Sequence, residues 1–221
     1  MKMLAKSSWV ATVGLTLALA SPLVSADTLY LTQPGDINYG TVDYSLSGQT
    51  ATFTFLSNTA GGYLFIDSRI ADLNINSTSF SVGTITAIEY PGFEPAGPAL
   101  TNTFSGAGNV SSFGTFNLTT TQSDGFANAT YSITFAVTNT SLTPWTSTSD
   151  VLIANTDGFL AAAHIAPCGL DPTANCSNLT MFVGDGPQFP GSSTVLEPNS
   201  ASLAFLALGL LGAGFWTRRK T

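Results

Sequence analysis

Along residues 41–183 apolar and polar side chains repeatedly trade places at every second position, and that period of two leaves little choice of fold. Thr41-Val42-Asp43-Tyr44-Ser45-Leu46 alternates in this way. So do Thr50-Ala51-Thr52-Phe53-Thr54-Phe55 and Thr130-Tyr131-Ser132-Ile133-Thr134-Phe135-Ala136-Val137. Successive side chains of a strand point to opposite faces, so each segment offers one apolar face and one Ser/Thr face. Shorter segments of β-branched, aromatic and small apolar residues occur at 72–75, 79–82, 84–88, 115–119, 151–153, 161–165 and 181–183. No stretch keeps a 3.6-residue period over two turns. About ten short antiparallel strands in two packed sheets follow, an all-β, antiparallel β-sandwich over residues 27–186.

Ser47-Gly48, Ala60-Gly61-Gly62, Asp124-Gly125, Asp157-Gly158 and Asp185-Gly186 punctuate the strands as turns. Residues 90–114, rich in Pro, Gly, Ser and Asn, read as a long connection. Residues 187–194 read as a linker.

Charge divides the chain further. Of six basic residues, Lys2 and Lys6 lie at the start and Arg218, Arg219 and Lys220 at the end, with Arg69 alone between them. Twelve of the thirteen acids lie from Asp27 to Asp185. A phosphate backbone or an anionic lipid surface needs basic side chains, so neither nucleic acid nor peripheral lipid binding is expected. Residues 1–26 have the layout of a signal peptide: Lys2 and Lys6, an apolar run from Trp9 to Ala20, then Val24-Ser25-Ala26. Signal peptidase cleavage is expected between Ala26 and Asp27.

The other end carries a span. From Asn199 to Trp216 there is no charge, and these eighteen residues would make a helix of about 27 Å, close to the hydrocarbon thickness. Arg218, Arg219 and Lys220 follow and stay cytoplasmic by the positive-inside rule, so the domain before the span faces outward. The expected whole is a β-sandwich ectodomain followed by a single C-terminal transmembrane helix.

Val195-Leu196-Glu197-Pro198, an apolar helix and Arg218-Arg219-Lys220 together resemble the PEP-CTERM sorting signal of Gram-negative bacteria. The family's usual Pro-Glu-Pro reads Leu196-Glu197-Pro198 here. The resemblance covers the tail, 195–221, and implies recognition and removal by an exosortase, a membrane transpeptidase-like enzyme. It also implies transit through the inner membrane, arrival at the cell surface or extracellular matrix, and association with exopolysaccharide, biofilm or floc formation.

Cys168 and Cys176 are the two cysteines, and in an exported chain they are expected to form a disulfide. His164 is the single histidine, and no Gly-x-Ser-x-Gly elbow accompanies it; in an apolar strand it reads as structural. The stretch Asn155 to His164, Asn-Thr-Asp-Gly-Phe-Leu-Ala-Ala-Ala-His, is similar to segments of PEP-CTERM ectodomains and reads as a fold signature. Asp36, Asp43, Asp67, Asp72, Asp157 and Asp185 are the acids available to calcium, although no Asp-x-Asp-x-Asp-Gly loop is present. Asn76, Asn109, Asn117, Asn128, Asn139, Asn175 and Asn178 begin Asn-x-Ser/Thr triplets, as a Ser/Thr/Asn-rich surface produces by chance. Tyr90, Phe93 and Trp145 are the aromatics available to stack on sugars.

No catalytic set, metal set or cofactor is assigned. The expectation is a non-enzymatic surface or matrix protein. A carbohydrate- or calcium-dependent adhesion module is the alternative, and a secreted hydrolase a second one.

Overall fold

The computed structural model describes residues 25–66, 69–89, 103–121, 129–168 and 180–186. Its first strands are β1 (Ser25–Gln33), β2 (Gly40–Ser47), β3 (Thr50–Ser57), β4 (Tyr63–Ile66) and β5 (Ala71–Leu73). Next come β6 (Phe80–Val82), β7 (Thr86–Glu89), β8 (Thr103–Ser105), β9 (Gly108–Val110) and β10 (Gly114–Phe116). The last are β11 (Leu118–Thr121), β12 (Ala129–Asn139), β13 (Ala161–Pro167) and β14 (Met181–Asp185). Among the described residues the helical elements are two 3-10 turns, Thr59–Gly61 and Thr148–Asp150.

The alternation places the core as it should. Val42, Tyr44 and Leu46 of β2, Ala51, Phe53 and Phe55 of β3, and Ile133, Phe135 and Val137 of β12 all bury into one cluster. Aromatic rings run through it as a chain: Tyr44 to Phe53 at 5.5 Å, Phe53 to Phe135 at 5.7 Å, Phe135 to Phe55 at 6.2 Å and Phe55 to Phe65 at 6.3 Å. Each buried ring contributes about 1.5–3 kcal/mol by leaving water. Gly48, at φ +61°, gives the two-residue β2–β3 loop the left-handed backbone it needs.

The sandwich gives way to a closed sheet. β14, β1, β2, β3, β12, β4 and β13 pair in that order, and β13 pairs back onto β14, so seven antiparallel strands form a barrel. The seam explains the difference from two separate sheets. β4 pairs on one edge with β12, Phe65 opposite Thr130, and on the other with β13, Phe65 opposite Ile165. One four-residue strand thus joins two edges that a sandwich would leave apart. β1, between β2 and β14, joins the other side. Five more strands extend the sheet: β6 and β7 along β12, and β5, β11 and β8 outward from β13.

A second layer covers part of the wall. β9 and β10 form a separate hairpin whose Val110, Phe113 and Phe116 pack on Ala162, with Phe159 and Phe182 beside them. A Cβ on Gly184 would stand 2.4 Å from the Phe113 ring, so a bare backbone is what admits the hairpin.

Three further expectations are corrected. Residues 115–119 are not one strand but the end of β10 and the start of β11. Asn117 stands between them, and its carboxamide exchanges hydrogen bonds with the Ile75 backbone at 2.7 Å each way. Residues 151–153 make only the bridge Leu152 to Ile75. Part of the connection at 90–114 is sheet, β8 and β9. The C-terminal span lies outside the described residues; among those described, no helix is long and apolar enough to cross a membrane.

Candidate functional site

Beneath the β9–β10 hairpin lie Asp72 and Arg69, with the His164 backbone bonded to Arg69. Ala71 and Leu73 of β5 point into the core, which turns Asp72 to the outer face, in register with Thr119 on β11 and Ala162 on β13. There it is fully buried, and neither carboxyl oxygen has a hydrogen-bond partner among the described residues. Burial pushes the carboxyl up to about 7, against the opposing pull of the Thr119 hydroxyl and the Arg69 guanidinium. Arg69 holds a left-handed backbone, φ +60°, and its guanidinium donates to the Asn109 carbonyl in β9. Its own carbonyl accepts the His164 N–H at 3.0 Å. A Cβ on Gly108 would stand 2.8 Å from Arg69 Nη1 and 2.9 Å from Thr119 Oγ1, so glycine lets the hairpin backbone lie on this group. His164 is buried and stacked on Phe182, with centroids 4.4 Å apart.

The stretch read as a fold signature straps this hairpin down. Asn155 Nδ2 donates to the Phe113 carbonyl at 2.7 Å, and Asn155 Oδ1 accepts the N–H groups of Asp157 and Phe159 at 3.0 Å each. Gly158, at φ +93°, closes the turn. Asp185 Oδ1 then accepts the N–H groups of Leu160 and Ala161, at 2.9 and 3.0 Å, where the chain enters β13. Burial raises this carboxyl to about 6, and the two backbone bonds oppose the rise.

A groove of about 510 Å³ lies elsewhere, lined mainly by the 75–78 and 141–146 segments with Asp150 and Ile153. Asp150 Oδ2 accepts the Thr146 hydroxyl at 2.6 Å, the Thr146 and Ser147 N–H groups at 2.9 Å and the Ser147 hydroxyl at 3.1 Å. The Thr146 hydroxyl is the largest cause of a carboxyl held down to about 2. Trp145 is buried and donates its indole N–H to the Asn76 carbonyl, so it is packing and not a stacking platform.

The remaining expected site residues are scattered. Ala26 and Asp27 lie in β1, with Ala26 opposite Ser45. Cys168 is buried just after β13 against Leu64, Ile66, Ala129 and Ala166. Cys176, Asp67, Asn128, Asn175, Asn178, Tyr90, Phe93 and the sorting residues Val195, Leu196, Glu197, Pro198, Arg218, Arg219 and Lys220 lie outside the described residues. Asp36 sits in the turn after β1, bonded by Gln33, and Asp43 on β2, bonded by Thr28. Among the described residues no three His, Cys, Asp or Glu side chains gather as a metal-binding group.

No family model, no curated protein and no solved structure matches this chain.

The Asp72–Arg69 group was not singled out from sequence. Its one available signal was an acid flanked by apolar residues three positions after the only central cation.

Proposed function

We propose that this chain is an exported cell-surface or extracellular-matrix protein, sorted by an exosortase-like enzyme and associated with exopolysaccharide in a structural, non-catalytic role. The observation that carries this is the order of the last residues: Val195-Leu196-Glu197-Pro198, no charge from Asn199 to Trp216, then Arg218-Arg219-Lys220. The signal-peptide layout of residues 1–26 is its counterpart. The barrel is compatible with cleavage after Ala26, because Leu29 and Leu31 stay in the core. Asp27 also still accepts the Thr28 N–H and the Tyr44 hydroxyl.

Support for a non-catalytic role comes from the tasks the polar groups already perform. Asp150 and Asp185 cap backbone N–H groups, Asn155 straps a hairpin, and His164 stacks on Phe182. In an oxidising compartment Cys168 and Cys176 would form a disulfide.

Mass spectrometry of the cell-associated and released protein tests the reading. A mature N-terminus at Asp27 and loss of residues beyond about Pro198 are expected. An intact C-terminus on the surface protein would make the tail a plain anchor and defeat the sorting proposal.

A further inference from the structure

Pairing register aligns outward side chains into rows across five strands. One row runs Tyr30, Thr41, Leu56, Ser132 and Ile88, over β1, β2, β3, β12 and β7. Two positions along each strand, its neighbour runs Thr28, Asp43, Thr54, Thr134 and Thr86. The intervening Leu29, Val42, Phe55 and Ile133 are core, so both rows face outward. Strands stand ~4.8 Å apart and alternate residues ~6.8 Å apart, so each row is about 19 Å long and lies ~6.8 Å from the next.

The rows differ in chemistry. The first exposes apolar groups, Tyr30 at 39%, Leu56 at 36% and Ile88 at 47%. The second is four hydroxyls and a carboxylate, none of them buried. Thr28 donates to Asp43 at 2.7 Å, and the Thr54 and Thr134 hydroxyls share a bond of 3.1 Å, which fixes their orientation. Each bonded hydroxyl keeps further hydrogen-bonding capacity, and Asp43 keeps a second oxygen.

We propose that this face binds a neutral polysaccharide chain laid across the strands. Its ring C–H faces rest on Tyr30, Leu56 and Ile88, and its hydroxyls meet Thr28, Asp43, Thr54, Thr134 and Thr86. The proposal rests on the exopolysaccharide-associated reading above and gives it a site. Sugar rings carry an apolar C–H face beside a rim of hydroxyls, which is the pattern of the two rows. Charge selects among polymers. Asp43 is the only charged residue in either row, the chain carries a net −7, and Arg69 lies under the β9–β10 hairpin. An anionic polymer therefore finds repulsion and no counter-charge. A second copy of the chain would need an apolar face for sheet-on-sheet packing, and three apolar side chains among hydroxyls do not make one.

The test is affinity electrophoresis of the full chain, solubilised in mild detergent, through native gels holding hydroxyethyl cellulose, dextran or the anionic alginate. Retardation by at least one neutral polymer and not by alginate is expected. Tyr30→Ala, and the double variant Thr54→Val with Thr134→Val, should each weaken it about tenfold, with circular dichroism and Tm unchanged. Ile153→Ala, in the groove, should leave it unaltered. Wild-type retardation in both row variants would overturn the site. Retardation by alginate alone, or by none of the three polymers, would overturn the ligand class. A concentration-dependent dimer that the row variants dissociate would assign the face to a second copy instead. The sorting proposal is decided separately by the mass of the C-terminus, so a negative gel beside a truncated tail would overturn only the binding face.

Discussion

Asp72 holds its proton more tightly in the folded barrel than in the unfolded chain, because desolvation outweighs the Thr119 hydroxyl and the Arg69 guanidinium. Between the ordinary carboxylate value of 3.8 and about 7 the folded state therefore binds more protons, and stability falls as pH rises through that window. Above pH 7 the charge remains buried and the cost is constant. Asp72→Asn keeps the shape without the charge. It should leave stability at pH 4 nearly unchanged and raise it at pH 8 by an amount on the order of a few kcal/mol. Urea melts at pH 4, 6 and 8 measure this, and a variant no more stable than wild type at pH 8 would contradict it. Asp185 is raised too, yet its two backbone bonds give it a different fate. Asp185→Ala orphans the Leu160 and Ala161 N–H groups and should lower stability by about 1–3 kcal/mol. The sequence offered both as acids available to calcium, with Asp72 in a strand segment and Asp185 at a turn, and did not mark either as buried. Their burial depends on which strand lies alongside, and period-two patterning does not contain that.

At the scale of elements, how well the sequence could be read followed each strand's exposure. β2, β3 and β12 have one wet face, so alternation marks them almost to their ends. β4, Tyr-Leu-Phe-Ile, is covered on both faces: Phe65 enters the main core while Leu64 and Ile66 join the cluster around Cys168. With both faces dry the alternation disappears, and the strand that closes the barrel went unread. β1 was missed because its first residues overlap the signal-peptide boundary. The strap at Asn155 was visible as a motif, but its purpose needed the hairpin it holds. Asn155→Ala removes the bond to Phe113 and both turn bonds, and should cost about 1–2 kcal/mol. Amide exchange should quicken in residues 108–116 while β2, β3 and β12 keep their protection. Uniform loss of protection would mean that the strap supports the whole barrel. If Cys168 and Cys176 are bridged, the nine-residue loop implies about 2.5 kcal/mol from chain entropy. Adding reductant to the wild type should lose that much, read from urea melts with and without reductant.

Closure is the property of the whole molecule that no local pattern carried. Alternation states which side of a strand is apolar, not which strand lies next to it, so a sandwich and a barrel read alike. The distinction rests on β4 between β12 and β13, and on β1 between β2 and β14. This makes β1 the point at which export and folding meet, because the expected cleavage falls inside it. A chain beginning at Asp27 keeps Leu29 and Leu31 and all pairs from Asp27 opposite Tyr44 onward. It should melt within about 4 °C of a chain that retains residues 1–26, since about 1 kcal/mol shifts Tm by 2–4 °C at this size. Removing residues through Gln33 takes away both pairings of β1 and two core leucines. Burial alone then falls by about 3–6 kcal/mol, comparable with the whole stability of a domain. It also bares the facing edges of β2 and β14, which then offer unpaired N–H and C=O groups to other chains. That variant should lose its cooperative thermal transition in circular dichroism and sediment as aggregates. A monomeric, cooperatively melting product without β1 would show that the remaining strands hold the core as an open sheet.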